Sequence, residues 1–168
     1  AMLNSMKLYK VLTYILLPIA YFFAFIDMLF LLSALANPGA LIIVFGIACL
    51  VIYTLMSYKF YKQGVLREQP MSVKTKDWIK VNAIVTIILC SLFCLDGISV
   101  LGSSNATLLK YIEDFILQKP GIPAEATANM LLSLLKTVSA VLLVTGIVGL
   151  LHIRTTLRLV KQYDYLFE

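Results

Sequence analysis

The chain has 168 residues, 61% of them hydrophobic and 14% charged, with nine Phe and nine Tyr, and a mean hydropathy of +0.92. Soluble domains carry about 45–50% apolar and about 25% charged residues, so these values exclude a water-soluble globule, and they equally exclude a disordered segment of low hydrophobicity. The net charge of +5 acquires meaning only from where the basic residues fall.

The first apolar run, 11–36, contains one ionisable residue, Asp27, and is long enough to cross a bilayer with some tilt. Its basic start resembles that of a signal peptide, but the run is too long and lacks a small-residue cleavage pattern, so it is expected to be retained. Asn37-Pro38-Gly39 follows. Pro fixes φ and Gly tolerates a positive one, which lets the chain reverse into a second run, 40–58. That run ends at Tyr58-Lys59-Phe60-Tyr61-Lys62, where rings and ammonium groups together mark a headgroup-level boundary, and a polar loop over 59–78 follows. Trp78 and Lys80 open the third run, 79–102, which carries Asp96 near its far end. Over 104–119, Leu108, Leu109, Ile112, Phe115 and Ile116 share one helical face while Lys110, Glu113 and Asp114 share the other, which predicts an amphipathic helix lying on the outer membrane surface. Lys119-Pro120-Gly121-Ile122-Pro123 breaks it. The fourth run, 125–153, continues helix-compatible to about 162, beyond the thickness of a bilayer at about 1.5 Å per residue.

These elements predict an all-α fold: one polytopic membrane domain, a four-transmembrane-helix bundle of two tandem hairpins, with one outer interfacial amphipathic helix. Residues 40–50 align without gaps to 140–150, sharing Ala, Val, Gly, Ile and Leu at five of eleven positions. Asp27 and Asp96 stand at nearly equal spacing after Lys10 and Lys80. Both hairpins then read as copies in one orientation, a parallel internal repeat.

Of the fourteen basic residues, eleven fall on one side: Lys7, Lys10, Lys59, Lys62, Arg67, Lys74, Lys76, Lys80, Arg154, Arg158 and Lys161. The positive-inside rule then puts both termini and the central loop in the cytoplasm, in a plasma or bacterial inner membrane. The positive charge is spent on topology, so nucleic acid is not an expected partner; the lipid bilayer is. The stripe Arg154, Arg158 and Lys161 suits headgroups of anionic lipid or a cytoplasmic partner.

Asp27, Asp96 and Lys136 are the ionisable residues inside the runs. Counted from the basic anchors, Asp27 and Asp96 lie about 25 Å deep and Lys136 about 27 Å deep, so the three can share one level in the outer leaflet. Charges at such depth are costly unless paired, and the expectation is either a site for an ion or small solute or a clamp between helices. Cys90 and Cys94 are one turn apart, with Cys49 at similar depth; a redox centre would need a CxxC pair and a partner pair, so they read as core. His152, the single histidine, sits at the inner end of the last run, without a second ligand at metal-binding spacing, and is expected at the interface. Gly46, Gly146 and Gly149 permit close helix contact, within the bundle or in a homo-oligomer. Asn105-Ala-Thr107 fits a glycosylation triplet on the outward side. No cofactor and no catalytic constellation is indicated. The expected function is a non-enzymatic interaction, accessory or regulatory membrane protein, with a solute or ion transporter or channel subunit, built on Asp27, Asp96 and Lys136, as the alternative.

Overall fold

The computed structural model describes residues 2–117 and 124–168. Among these residues are five α-helices: α1 (Met2–Ala34), α2 (Leu41–Lys59), α3 (Val73–Gly102), α4 (Asn105–Leu117) and α5 (Ala124–Gln162). Short 3-10 turns occupy Pro38–Ala40 and Asp164–Leu166, and a π-helical turn covers Phe60–Val65. Four stretches, Met6–Ala34, Pro38–Val65, Val73–Gly102 and Thr127–Gln162, are long and apolar enough to cross a membrane. The all-helical expectation is thus met among the described residues, and the predicted break at 119–123 lies outside them.

Local chemistry accounts for the helix ends. Asn37 is extended, as a residue before Pro must be, and its side chain accepts from the Gly39 amide at 3.2 Å. That closes the reversal between α1 and α2. Pro18 lies inside α1, where its missing N–H leaves the Tyr14 carbonyl without a helical donor. Beyond α2 the helix widens into the π turn, whose bond from Leu66 N–H to Tyr61 O is 3.0 Å long. Three residues beyond its end, Glu68 takes the left-handed φ of 50°. Ser72 then caps α3 by accepting from the Lys74 amide at 3.2 Å. α3 therefore begins earlier than the apolar run that announced it, because the polar residues Lys74, Thr75, Lys76 and Asp77 still fit a capped helical turn.

The chain forms two compact units, Ala1–Cys90 with Ile147–Glu168, and Ser91–Gly146. In the first, Tyr9, Leu16, Tyr53, Phe60, Ile79, Ala83, Ile153 and Val160 belong to one buried cluster. The last residues of the chain fasten to the start of α3. Met71 N–H donates to Leu166 O at 2.7 Å and Glu168 N–H to Met71 O at 3.0 Å. Phe167 stacks on Phe60 with centroids 5.7 Å apart, and Lys76 pairs with Asp164 at 2.6 Å. Gly149 belongs to the same unit, and a Cβ there would meet Cys90 Sγ at 2.5 Å, whereas at Gly46 the nearest atom, on Leu89, would be 3.6 Å away.

In the second unit, α3 and α5 approach so closely at Gly97 that a Cβ would stand 2.6 Å from Leu143 Cβ and 3.0 Å from the Ser139 carbonyl. α4 is amphipathic as its pattern predicts: Leu108 and Ile116 are buried while Lys110, Glu113 and Asp114 are exposed. Phe115 departs from the pattern in being exposed. With Leu108, Tyr111 and Ile112 it lines a groove of about 390 Å³ facing Leu131, Leu134, Leu135 and Val138 of α5.

Candidate functional site

The first unit encloses a polar network centred on His152. Four-residue steps, which bring side chains onto one helix face, set Tyr9 beside Thr13 on α1 and His152 beside Thr156 on α5; Tyr53 projects from α2. All five are buried, His152 and Tyr53 to 0% exposure. His152 Nε2 lies 2.9 Å from Thr13 Oγ1, and Nδ1 lies 2.7 Å from the Tyr53 hydroxyl. The single Thr13 hydroxyl proton goes to a backbone carbonyl, so Nε2 carries the ring proton and donates to Thr13 Oγ1, and Nδ1 accepts from the Tyr53 hydroxyl. The Tyr53 oxygen also lies 2.8 Å from Thr156 Oγ1, and Thr156 reaches the Tyr9 hydroxyl at 3.3 Å.

Backbone carbonyls take up the remaining hydroxyl capacity, with Thr13 donating to Tyr9 O at 2.8 Å and Thr156 to His152 O at 2.9 Å. Rings complete the enclosure. Tyr9 stacks on the imidazole with centroids 5.0 Å apart, and Tyr53 meets it edge-on at 5.6 Å. One ring thereby ties α1, α2 and α5 together. His152 is a central buried group here, which corrects the expectation of an interfacial side chain. An imidazole needs two partners wherever water is absent, and the Tyr and Thr hydroxyls on α1 and α2 provide them.

The three ionisable residues singled out from the sequence are distributed over both units. Asp27, on α1 in the first unit, is half-buried, and its Oδ1 has no hydrogen-bond partner among the described residues. Asp96 and Lys136 belong to the second unit. Asp96 is exposed and accepts from Ser139 Oγ at 3.2 Å. Lys136 donates to Asn105 Oδ1, linking α5 to the first residue of α4. Among the described residues no ion pair joins Asp96 and Lys136, so amide and hydroxyl partners take the places that pairing of the two charges would have filled. The Asn105 of the glycosylation triplet thus holds Lys136.

Tyr9, Thr13, Tyr53 and Thr156 are uncharged and do not stand out in the sequence. Their signal is the recurrence of hydrogen-bonding residues at four-residue spacing within apolar helices, where polar groups persist only with partners. No disulfide forms among Cys49, Cys90 and Cys94. Among the described residues no three His, Cys, Asp or Glu side chains gather in a group able to hold a metal ion. No protein-family model, curated protein or solved structure matches the chain.

Proposed function

We propose that the chain is a membrane-embedded interaction or accessory protein that works through helix association rather than catalysis. The closure of the His152 network carries this reading: the one imidazole and the two tyrosine hydroxyls beside it are spent on one another inside the first unit. A network so occupied fixes helices and presents nothing to a substrate. Outward, the helices offer large apolar side chains, among them Tyr21, Phe25, Met28 and Leu32 on α1, each more than half exposed. Water would penalise such a surface, whereas lipid or a neighbouring helix accommodates it.

In this reading the four apolar stretches form a membrane bundle with both termini in the cytoplasm and α4 at the outer surface, in a plasma or bacterial inner membrane. The excess of Lys and Arg around the loop and termini supports that orientation. So does the fastening of residues 166–168 to the start of α3, which puts the end of the chain beside the central loop. The two hairpins as a parallel repeat, and the stripe Arg154, Arg158 and Lys161 as a contact for headgroups or a cytoplasmic partner, complete the proposal. Gly46 and Gly149 are spent on contacts within the chain. A homo-oligomer would therefore use the exposed apolar face of α1.

A second reading, a transporter or channel subunit using Asp27, Asp96 and Lys136, is favoured by the unpartnered Oδ1 of Asp27, which offers a lone pair to a cation or proton. Energy transfer between donor- and acceptor-labelled copies in liposomes tests association. Transfer that persists as lipid dilutes the protein, and that falls when Phe25 and Met28 are both changed to Ala, supports the first reading. Transfer that decays to the random-collision level overturns self-association.

A further inference from the structure

We propose that the groove between the first turns of α3 and the last turns of α5 binds an anionic phospholipid. Lys76, Lys80 and Ile84 follow one another at four-residue steps on α3. Leu157, Val160 and Lys161 face them from α5 and Asp164 from the 3-10 turn after it, and the space between is about 550 Å³. The two helices run antiparallel here, since Lys76 meets Asp164 just beyond α5 while Cys90, further along α3, meets Gly149, earlier on α5. The lining is therefore graded along the groove, with the ion pair at one end, Lys80 and Lys161 in the middle, and Ile84 and Leu157 at the other end.

Three lysines against one carboxylate leave an excess of two positive charges. Asp164 is engaged by Lys76, so the excess resides on Lys80 and Lys161, which are both exposed. Among the described residues neither has a carboxylate in ion-pair contact. A phosphate between the two ammonium groups would complete the charge balance. Beside it the apolar wall continues: Ile84 is 62% exposed, and Ile88, one turn further along the same face, is 59% exposed. A free phosphate would use the lysines and leave that wall uncovered, whereas a phospholipid covers both with headgroup and acyl chain. Residue spacing alone groups Lys161 with Arg154 and Arg158; the fold sets it across a groove from Lys80. This inference does not depend on the association proposed above.

Native mass spectrometry of the full chain, released from micelles holding phosphatidylglycerol, phosphatidylcholine, or phosphatidylcholine with added glycerol phosphate, tests it. Phosphatidylglycerol should be retained selectively, and Lys80→Gln and Lys161→Gln should each weaken retention roughly five-fold. Lys7→Gln with Lys10→Gln, at exposed positions of α1 that do not line the groove, should leave it unchanged. Equal loss in that pair would mean diffuse surface charge and would overturn the site. Equal retention of phosphatidylcholine would overturn its charge selectivity, and retention of glycerol phosphate to the same degree as phosphatidylglycerol would assign the groove to a soluble phosphate and overturn the lipid site. A measurement on the unmodified chain stands apart from any folding defect: phosphatidylglycerol should slow acylation of Lys80 and Lys161 relative to Lys59, and equal rates at all three would contradict the proposal.

Discussion

Replacing His152 by Phe keeps most of the ring volume while removing both hydrogen bonds that the imidazole makes to α1 and α2. Interhelical hydrogen bonds in membrane proteins average about 0.6 kcal/mol and reach about 1.7, so His152→Phe should cost about 1–3 kcal/mol. His152→Ala loses the same bonds and also leaves a cavity between three helices, where buried large-to-small changes add about 2 kcal/mol or more; its total should be about 3–5 kcal/mol. Tyr53→Phe removes the contacts to Nδ1 and to Thr156 Oγ1 at almost constant volume, and by the same unit values costs about 1–3 kcal/mol. Because His152→Phe and Tyr53→Phe both delete the bond between the two side chains, their double variant should cost less than the sum by about 0.6–1.7 kcal/mol. Equilibrium unfolding in mixed micelles of mild detergent and dodecyl sulfate, followed by far-ultraviolet circular dichroism, measures all four. Strict additivity, or a His152→Phe variant as stable as the unmodified protein, would refute the network as a lock between helices.

The glycines make a graded series. Gly97→Ala and Gly149→Ala place a methyl group 2.6 Å from Leu143 Cβ and 2.5 Å from Cys90 Sγ, and both should lower the unfolding midpoint. Gly97→Ala should do so more severely, because a backbone carbonyl also stands in its way. Gly46→Ala meets ordinary contact at 3.6 Å and should be neutral or stabilising by up to about 1 kcal/mol from helix propensity. The Asp164 carboxyl, hydrogen-bonded by the Lys76 ammonium, is held below its ordinary value. Its contribution is therefore fully present above the unfolded carboxylate pKa of about 3.9 and is lost as pH falls through the lower folded value. At neutral pH, Asp164→Asn should speed hydrogen exchange at the Met71 and Glu168 amides; the difference from the unmodified protein should vanish in strong acid and stay constant across the neutral range.

The sequence made the helices legible because composition and run length suffice to find apolar helices, and Asn37-Pro38-Gly39 announces the first reversal through its own backbone chemistry. The amphipathic α4 was legible for a similar reason, since its polar and apolar residues alternate with helical period. The His152 network was not. Its partners come from three helices, and a Thr or Tyr within an apolar run looks the same whether it bonds only its own backbone, as Thr54 does with Leu50 O at 2.8 Å, or also reaches another helix, as Thr13 does. Asp27, Asp96 and Lys136 drew attention through their charge, which shows in a sequence, whereas the engagement of Lys136 by Asn105 depends on how α4 docks on α5. The clasp at residues 163–168 had only an alternation of aromatic residues to announce it, and Gly97 stood unremarked because close approach depends on the helix it faces.

Ion flux into proteoliposomes separates a helix lock from a transport path, with purified chain in vesicles carrying pH- and sodium-sensitive dyes under an imposed gradient. An interaction protein whose polar residues lock its helices predicts flux no greater than in protein-free vesicles, for the unmodified chain and for Asp27→Asn alike. Flux above that level, abolished by Asp27→Asn in a variant that keeps its unfolding midpoint, would contradict the account and establish the transport reading in its place.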